Sequence, residues 1–258
     1  MIVEWIESMS TAAIYVCIAL LIMAACEIGF MIGNHHYRKR EDKDAPTSIG
    51  PMVGGLLGML AFVLAFVFSM AAAQYDLRKQ NVLAEANTIH TAYLRADLID
   101  EPHGAEVKRL LREYVGIRLQ VARGADIKTA MAKSLEIHEL LWTQASSAAR
   151  LEPGPSTSTM AQSIIDVIDM HEKRVAAALH SRIPMSVWTG LMTITVLTMI
   201  TLGMQVGFNG KRRLVAITPL SMAFAVLVTL VVDLNRPQRG LITVSQQAMV
   251  DLQATIAR

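Results

Sequence analysis

The residues that could do chemistry in this chain are few, and their spacings do not assemble a catalytic set. His138-Glu139 is followed by Leu140-Leu141-Trp142, so a two-histidine zinc helix lacks its second histidine. His171-Glu172 is followed by Lys173-Arg174-Val175 and fails at the same position. Asp166, Asp169 and Glu172 recur at steps of three, as carboxylates on a solvated helix face do. Cys17 and Cys26 lie nine residues apart in one apolar block, where they cannot pair and match no metal spacing. There is no phosphate loop, no Gly-x-Ser-x-Gly elbow and no dinucleotide fingerprint. These features predict a chain that is not an enzyme and needs no metal or cofactor.

The polar residues that remain fall into two kinds. The first kind sits inside apolar sequence. Glu27 is the one ionisable group in the first apolar block, where an acid must face protein or water. Thr195, Thr198 and Gln205 belong to a threonine-rich third block, whose hydroxyls bond back to their own helix or line a polar path. The second kind forms two clusters at block ends. One holds Tyr75, Asp76, Arg78, Glu85, Asn87 and Arg95; the other holds Asp233, Arg236 and Arg239. An acid–arginine network joining the two is expected, because partly desolvated charges need partners. It would brace the structure or surround a path for ions.

Four long apolar blocks position these residues: Thr11–Gly33, Ile49–Tyr75, Pro184–Phe208 and Leu214–Leu234. Each is long enough to cross a bilayer as a helix. The chain is 258 residues, 53% hydrophobic and 18% charged, and most of the apolar excess is in these blocks. A net charge of +2 and the lack of a basic, aromatic-interleaved stretch argue against nucleic acid. The start of the chain carries Glu4 and Glu7 and no basic residue, so the first block is predicted to be an uncleaved span rather than a signal peptide. Ile2, Trp5, Ile6 and Met9 share a face suited to the membrane interface.

Small residues step down the second block at Gly50, Gly54, Gly58, Ala61, Ala65, Ser69 and Ala72. Steps of three and four place them on one stripe, predicted to be a helix-packing face within or between subunits. The block runs on into a polar helix with no Gly or Pro before Pro102. Segment 76–182 has fourteen Lys+Arg and fourteen Asp+Glu and reads as amphipathic helices. Their apolar faces carry Val82, Ala86, Ile89, Tyr93 and Ala96, then Leu110, Tyr114, Ile117 and Val121. Leu135, His138 and Leu141 or Trp142 follow, and finally Ile164, Ile168, His171 and Val175. Asp100 is predicted to cap the helix after Pro102, Asp126 opens the next helix, and Glu152–Ser158 is a loop. Thr243 and Gln246 suit a capping box for a short terminal helix, 245–257.

The predicted fold is therefore an all-α integral membrane protein: four transmembrane helices, with a helical-bundle aqueous domain inserted between spans two and three. The expected divisions are 1–75 (spans one and two), 76–183 (bundle), 184–234 (spans three and four) and 235–258 (extended segment and short helix). Basic residues stay cytoplasmic in short loops. Arg38, Lys39, Arg40 and Lys43 in one loop, with Lys211, Arg212 and Arg213 in another, therefore place the termini and bundle outside the cytoplasm.

The two end-of-span clusters also carry a likeness. Phe68-Ser69, Tyr75-Asp76-Leu77-Arg78, Glu85-Ala86-Asn87 and Thr91-Ala92-Tyr93-Leu94-Arg95 form its first part. Asp233-Leu234-Asn235-Arg236-Pro237, Gly240 and Val244-Ser245-Gln246 form its second. Together they resemble the bacterial bestrophin-like domain family, a family of unknown function. The family often has a second acid where this chain has Asn235. The resemblance implies likeness to bestrophins, homo-oligomeric anion channels whose second helix lines a narrow neck. The expectation is a homo-oligomer in the bilayer of a bacterial inner membrane, conducting a small ion. The alternative is a sensor or scaffold whose bundle binds a ligand or protein partner. An intramembrane enzyme would rest only on Glu27, Asp76 and Glu85, without a nucleophile or metal set.

Overall fold

The computed structural model describes residues 9–39, 49–179, 183–208, 214–236 and 240–257. Eight α-helices and one 3-10 turn account for nearly all of them, with no strand among the described residues. They are α1 (Thr11–Arg38), α2 (Gly50–Arg95), the 3-10 turn Ala96–Leu98, α3 (His103–Ala122), α4 (Ile127–Leu151), α5 (Pro155–Leu179), α6 (Met185–Gly207), α7 (Leu214–Asn235) and α8 (Gln247–Ile256). The chain divides into two compact units: residues 1–75 with 182–243, and residues 76–181 with 244–258. The 46-residue α2 contributes its first part to one unit and its second part to the other.

The first unit is the membrane unit. Four helices there are long and apolar enough to span a bilayer: Thr11–Arg38, α2 and its continuation to Leu98, Met185–Gly207 and Thr218–Asn235. Ser10 caps α1, its hydroxyl accepting from the Ala13 N–H at 3.2 Å. Helix α1 packs along α6 and α7. Gly29 and Gly33 of α1 face Gly203 and Gly207 of α6 so closely that the backbones touch. A Cβ at Gly29 would overlap the Ile200 carbonyl, and one at Gly203 would overlap the Cys26 carbonyl. Two Gly-x-x-x-Gly pairs thus interlock, which apolar helices need because lipid offers no hydrophobic drive to associate. Helix α2 adds Leu60, Leu64, Val67 and Ala71 to the same core as Ile22, Leu191, Met199, Val228 and Val231.

The second unit is a helical bundle. Val82, Ala86, Ile89 and Ala92 of α2, with Ala96 of the 3-10 turn, share a core with Leu110, Leu111, Tyr114 and Ile117 of α3, Ile137 and Leu141 of α4, and Met160, Ile164 and Val167 of α5. Of the two alternatives on α4, Leu141 is buried and Trp142 is exposed. Gly124 ends α3 at φ +99°, a left-handed value that favours glycine. Asp126 caps α4, accepting from the Thr129 N–H at 3.0 Å and from its hydroxyl at 2.6 Å. Those bonds hold the Asp126 carboxyl below the usual carboxylate range.

Three local expectations change. Helix α3 starts after Pro102 with the Glu101 carboxylate, not Asp100, accepting from the Ala105 N–H. Helix α5 starts at Pro155, inside the stretch read as loop, because proline suits a first helical turn. The capping box at α8 does not form: Gln247 N–H bonds to Ser245 Oγ at 3.3 Å, and Gln246 makes no side-chain cap. Helix α8 joins the bundle core through Met249, Leu252 and Ile256. Its last carbonyls have no partner in their own helix. That of Ile256 accepts from Arg112 Nε at 2.8 Å and Tyr93 Oη at 3.3 Å. The interfacial helix expected before Met9, and the turn expected at Asn209-Gly210, lie outside the described residues.

Candidate functional site

The middle of the small-residue stripe of α2 faces outward from the chain. Gly54, Gly58, Ala61, Ala65 and Ser69 are exposed, while Gly50 and Ala72 are half-buried. A Cβ at Gly54 or Gly58 would meet nothing within 4 Å. The face that packs is a neighbouring one: Val53, Leu60, Leu64, Val67 and Ala71. The physical reason is side-chain size. The larger residues fill the gap to the neighbouring helices and bury more area, which leaves the small residues outward. Phe62 and Phe66 stand beside them, also exposed. The outward surface is free of charge through the whole apolar part of the helix.

Inside the membrane unit the polar side chains mostly satisfy local backbone. Thr195 is buried and donates to the Leu191 carbonyl at 2.8 Å. Thr193 and Thr201 do the same to Thr189 and Leu197. This is the ordinary back-bonding of hydroxyls on an apolar helix. Thr198 is buried with no hydrogen-bond partner among the described residues. Gln205 has a tying role: its Oε1 accepts the Ile49 N–H at 2.8 Å and fixes the start of α2 to α6. Glu27 is half-buried on α1.

The C-terminal polar cluster is also built from the residue upward. Asp233 is buried near the end of α7. Its carboxylate accepts from Thr11 Oγ1 at 2.9 Å, Leu241 N–H at 3.1 Å and Ile242 N–H at 2.9 Å. Gly240 lies so near that a Cβ would sit 2.7 Å from Asp233 Oδ1. Arg236 is buried and donates to the Met9 carbonyl at 2.9 Å. Asn235, in place of an acid, accepts the Ile183 N–H at 3.2 Å just ahead of α6. These three residues therefore staple the start of α1, the approach to α6 and the segment after α7. Arg239 lies outside the described residues.

The residues of the other cluster separate. Tyr75 is half-buried against the membrane core, Asp76 and Asn87 are exposed, and Arg78 is buried. Arg95 Nη1 reaches Ser163 Oγ at 2.6 Å and the Thr159 carbonyl at 3.3 Å. It borders a polar pocket of about 190 Å³ with Asn87, Thr88, Thr91, Ser163 and Asp166. Glu85 faces the bundle centre and is fully buried.

Around Glu85 the structure assembles a group that sequence spacing did not bring together. Tyr114 Oη donates to Glu85 Oε1 at 2.6 Å, and Arg118 Nε lies 3.3 Å from the same oxygen. Arg174 Nη1 bonds to Glu85 Oε2. Because the tyrosine gives its one hydrogen to the carboxylate, the 2.9 Å contact with His171 Nδ1 is the histidine donating to Tyr114 Oη. His138 stacks against both, with ring centroids 5.0 Å from Tyr114 and 4.8 Å from His171. Its two ring nitrogens are buried without a hydrogen-bond partner among the described residues. Burial pushes both histidines down to about 4. The tyrosine hydroxyl is raised, first by burial and then by the Glu85 charge. Burial also lowers the Arg174 guanidinium. The available signal was a polar side chain at the buried register of each helix: Glu85, Tyr114, His138 and His171. Among the described residues no group of three His, Cys, Asp or Glu side chains could hold a metal.

Comparison with known proteins bears on the whole arrangement. A search of curated proteins gave no match. A bacterial bestrophin homologue from Klebsiella pneumoniae, solved as a point mutant, superposes with a TM-score of 0.66 at 12% identity. The overlap covers 93% of this chain and 97% of that one. At that identity the likeness is one of fold. The family described as the Bestrophin-like domain matches residues 19–249, a span that takes in most of α1, the other three membrane helices, the Glu85 group and Asp233. This multi-pass membrane chain therefore belongs to the bestrophin-like domain family.

Proposed function

We propose that the chain is one subunit of a homo-oligomeric ion channel, conducting an anion. The observation that carries this reading is the outward face of α2. A spanning helix that buries Leu60, Leu64 and Val67 in its own chain presents Gly54, Gly58, Ala61, Ala65 and Ser69 outward. Small residues allow close approach of a second helix, so copies of α2 would meet there. Membership of the bestrophin-like family and the fold match to a bacterial bestrophin homologue support a channel over an isolated anchor. The same reading makes the chain non-enzymatic. It places the chain in a bacterial inner membrane, with the termini and bundle outside the cytoplasm. Purified protein in liposomes is expected to release chloride down a gradient. Absence of flux from folded, inserted protein across pH and voltage would overturn the reading.

A second reading has its own observation. The pocket beside Arg95, with Asn87, Thr91, Ser163 and Asp166, offers paired donors and acceptors for a small polar ligand of the bundle. In that case the unit senses or scaffolds. A stoichiometric second protein recovered from membranes would favour it over the channel.

A further inference from the structure

The centre of the bundle holds two histidines that the channel reading does not use. Glu85 reaches this centre from α2, Tyr114 and Arg118 from α3, His138 from α4, and His171 and Arg174 from α5. Gln246, just ahead of α8, accepts from Arg174 Nη2 at 3.3 Å. With neutral imidazoles the group already carries one excess positive charge, one carboxylate against two guanidiniums. Every proton added then increases an excess of positive charge in a site closed to water.

The two imidazoles respond differently in detail. His171 already spends its Nδ1 hydrogen on Tyr114, so a second proton on the ring places a full charge near Arg118 and Arg174. His138 lies against the His171 ring, and neither of its nitrogens has a hydrogen-bond partner among the described residues. A charged His138 would be a buried cation without hydrogen-bonding compensation, beside another one. Relief comes when the helices part and admit water.

We propose that the His138–His171 pair is an acid-operated latch on the helical unit, closed while both rings are neutral and released when acid charges them against Arg118 and Arg174. The sign follows from proton binding. Burial lowers both imidazoles from 6.5 to about 4, so the open form takes up more protons than the closed form. The latch is therefore at full strength above about pH 6.5, weakens as pH falls through that value, and is fully penalised at about pH 4. It acts on the segment of α2 that carries Glu85, and it stands whether or not the membrane unit conducts ions.

Hydrogen exchange on the full chain in lipid nanodiscs tests this. Amides of α3, α4 and α5 are expected to lose protection reversibly between about pH 6.5 and pH 4, while those of α1 and α6 keep theirs. The double variant His138→Phe with His171→Gln keeps a ring at position 138 and a donor to Tyr114, and should hold protection at least one pH unit lower. Full protection of the wild type at pH 4 overturns the proposal. So does a double variant that opens at the same pH as the wild type, which would assign the effect to Glu85. Should the double variant fail to fold, a histidine NMR titration of the wild type decides. Two of the seven imidazoles titrating below pH 5 supports the latch, and fewer than two overturns it.

Discussion

Glu85 is the buried carboxylate at the centre of the bundle. It accepts from Tyr114 and balances Arg118 and Arg174 with no exposure to solvent. Removing one partner of a buried charge group strands the others, which costs more than the bonds themselves contribute. Glu85→Ala is expected to lower stability by about 3–5 kcal/mol, since two guanidiniums lose their counter-charge. Tyr114→Phe keeps the ring, removes one bond to the Glu85 carboxylate and leaves the His171 donor unmet, at about 1–3 kcal/mol. Thermal unfolding of the detergent-solubilised chain should rank them in that order, and an equal or reversed ranking would show that the arginines find other partners. At this scale the sequence was partly legible. Val82, Ile89 and Leu110 announced a buried face by spacing, and His138 and His171 stood on such faces. That residues 85, 114, 138, 171 and 174 converge was not legible, because convergence depends on the rotation of four helices about their axes. Asn235 shows the converse: where the family often has an acid, this amide finds a backbone partner at Ile183.

At the scale of elements, the four spans were legible because long charge-free runs have few alternatives. The partner of each small-residue stripe was not. Gly29 with Gly33 and Gly203 with Gly207 carry the same four-residue spacing as Gly54 with Gly58, yet the first two pairs meet within the chain while a Cβ at Gly54 or Gly58 meets nothing within 4 Å. A stripe says that close approach is allowed and does not say to what. Two substitutions separate these roles. Gly203→Leu inserts a side chain where the Cys26 carbonyl already sits, so α1 and α6 must part and the folded chain should be lost from detergent extracts. Gly58→Leu meets nothing within the chain and should leave a folded subunit. If α2 faces its copies, the Gly58→Leu oligomer should be smaller on a detergent sizing column; an unchanged size counts against that interface.

For the molecule as a whole, the chain separates into two compact units, and the C-terminal helix falls in the bundle unit with residues 76–181. Sequence order hid this, because Gln247–Ile256 follows the last span and is remote in number from Tyr93 and Arg112, which hold its end. The side of the membrane that the bundle occupies, proposed from the basic residues at 38–43 and 211–213, is open to direct measurement. Ser156 is exposed on the bundle, and both native cysteines lie within α1. Ser156→Cys is therefore expected to react with a membrane-impermeant maleimide in intact spheroplasts. Labelling only after lysis would put the bundle in the cytoplasm.

The glycine interlock of α1 and α6 also sets a clock on biosynthesis. Gly33 and Gly203 are 170 residues apart in the chain. At roughly 5–20 residues per second, α1 leaves the ribosome on the order of 10–30 s before its partner exists. For that interval its glycine groove must rest against lipid or another protein, and the first span cannot reach its final packing until α6 has been made. Assembly of the membrane core is thus a late event, in which a helix already waiting in the bilayer captures one that has just arrived.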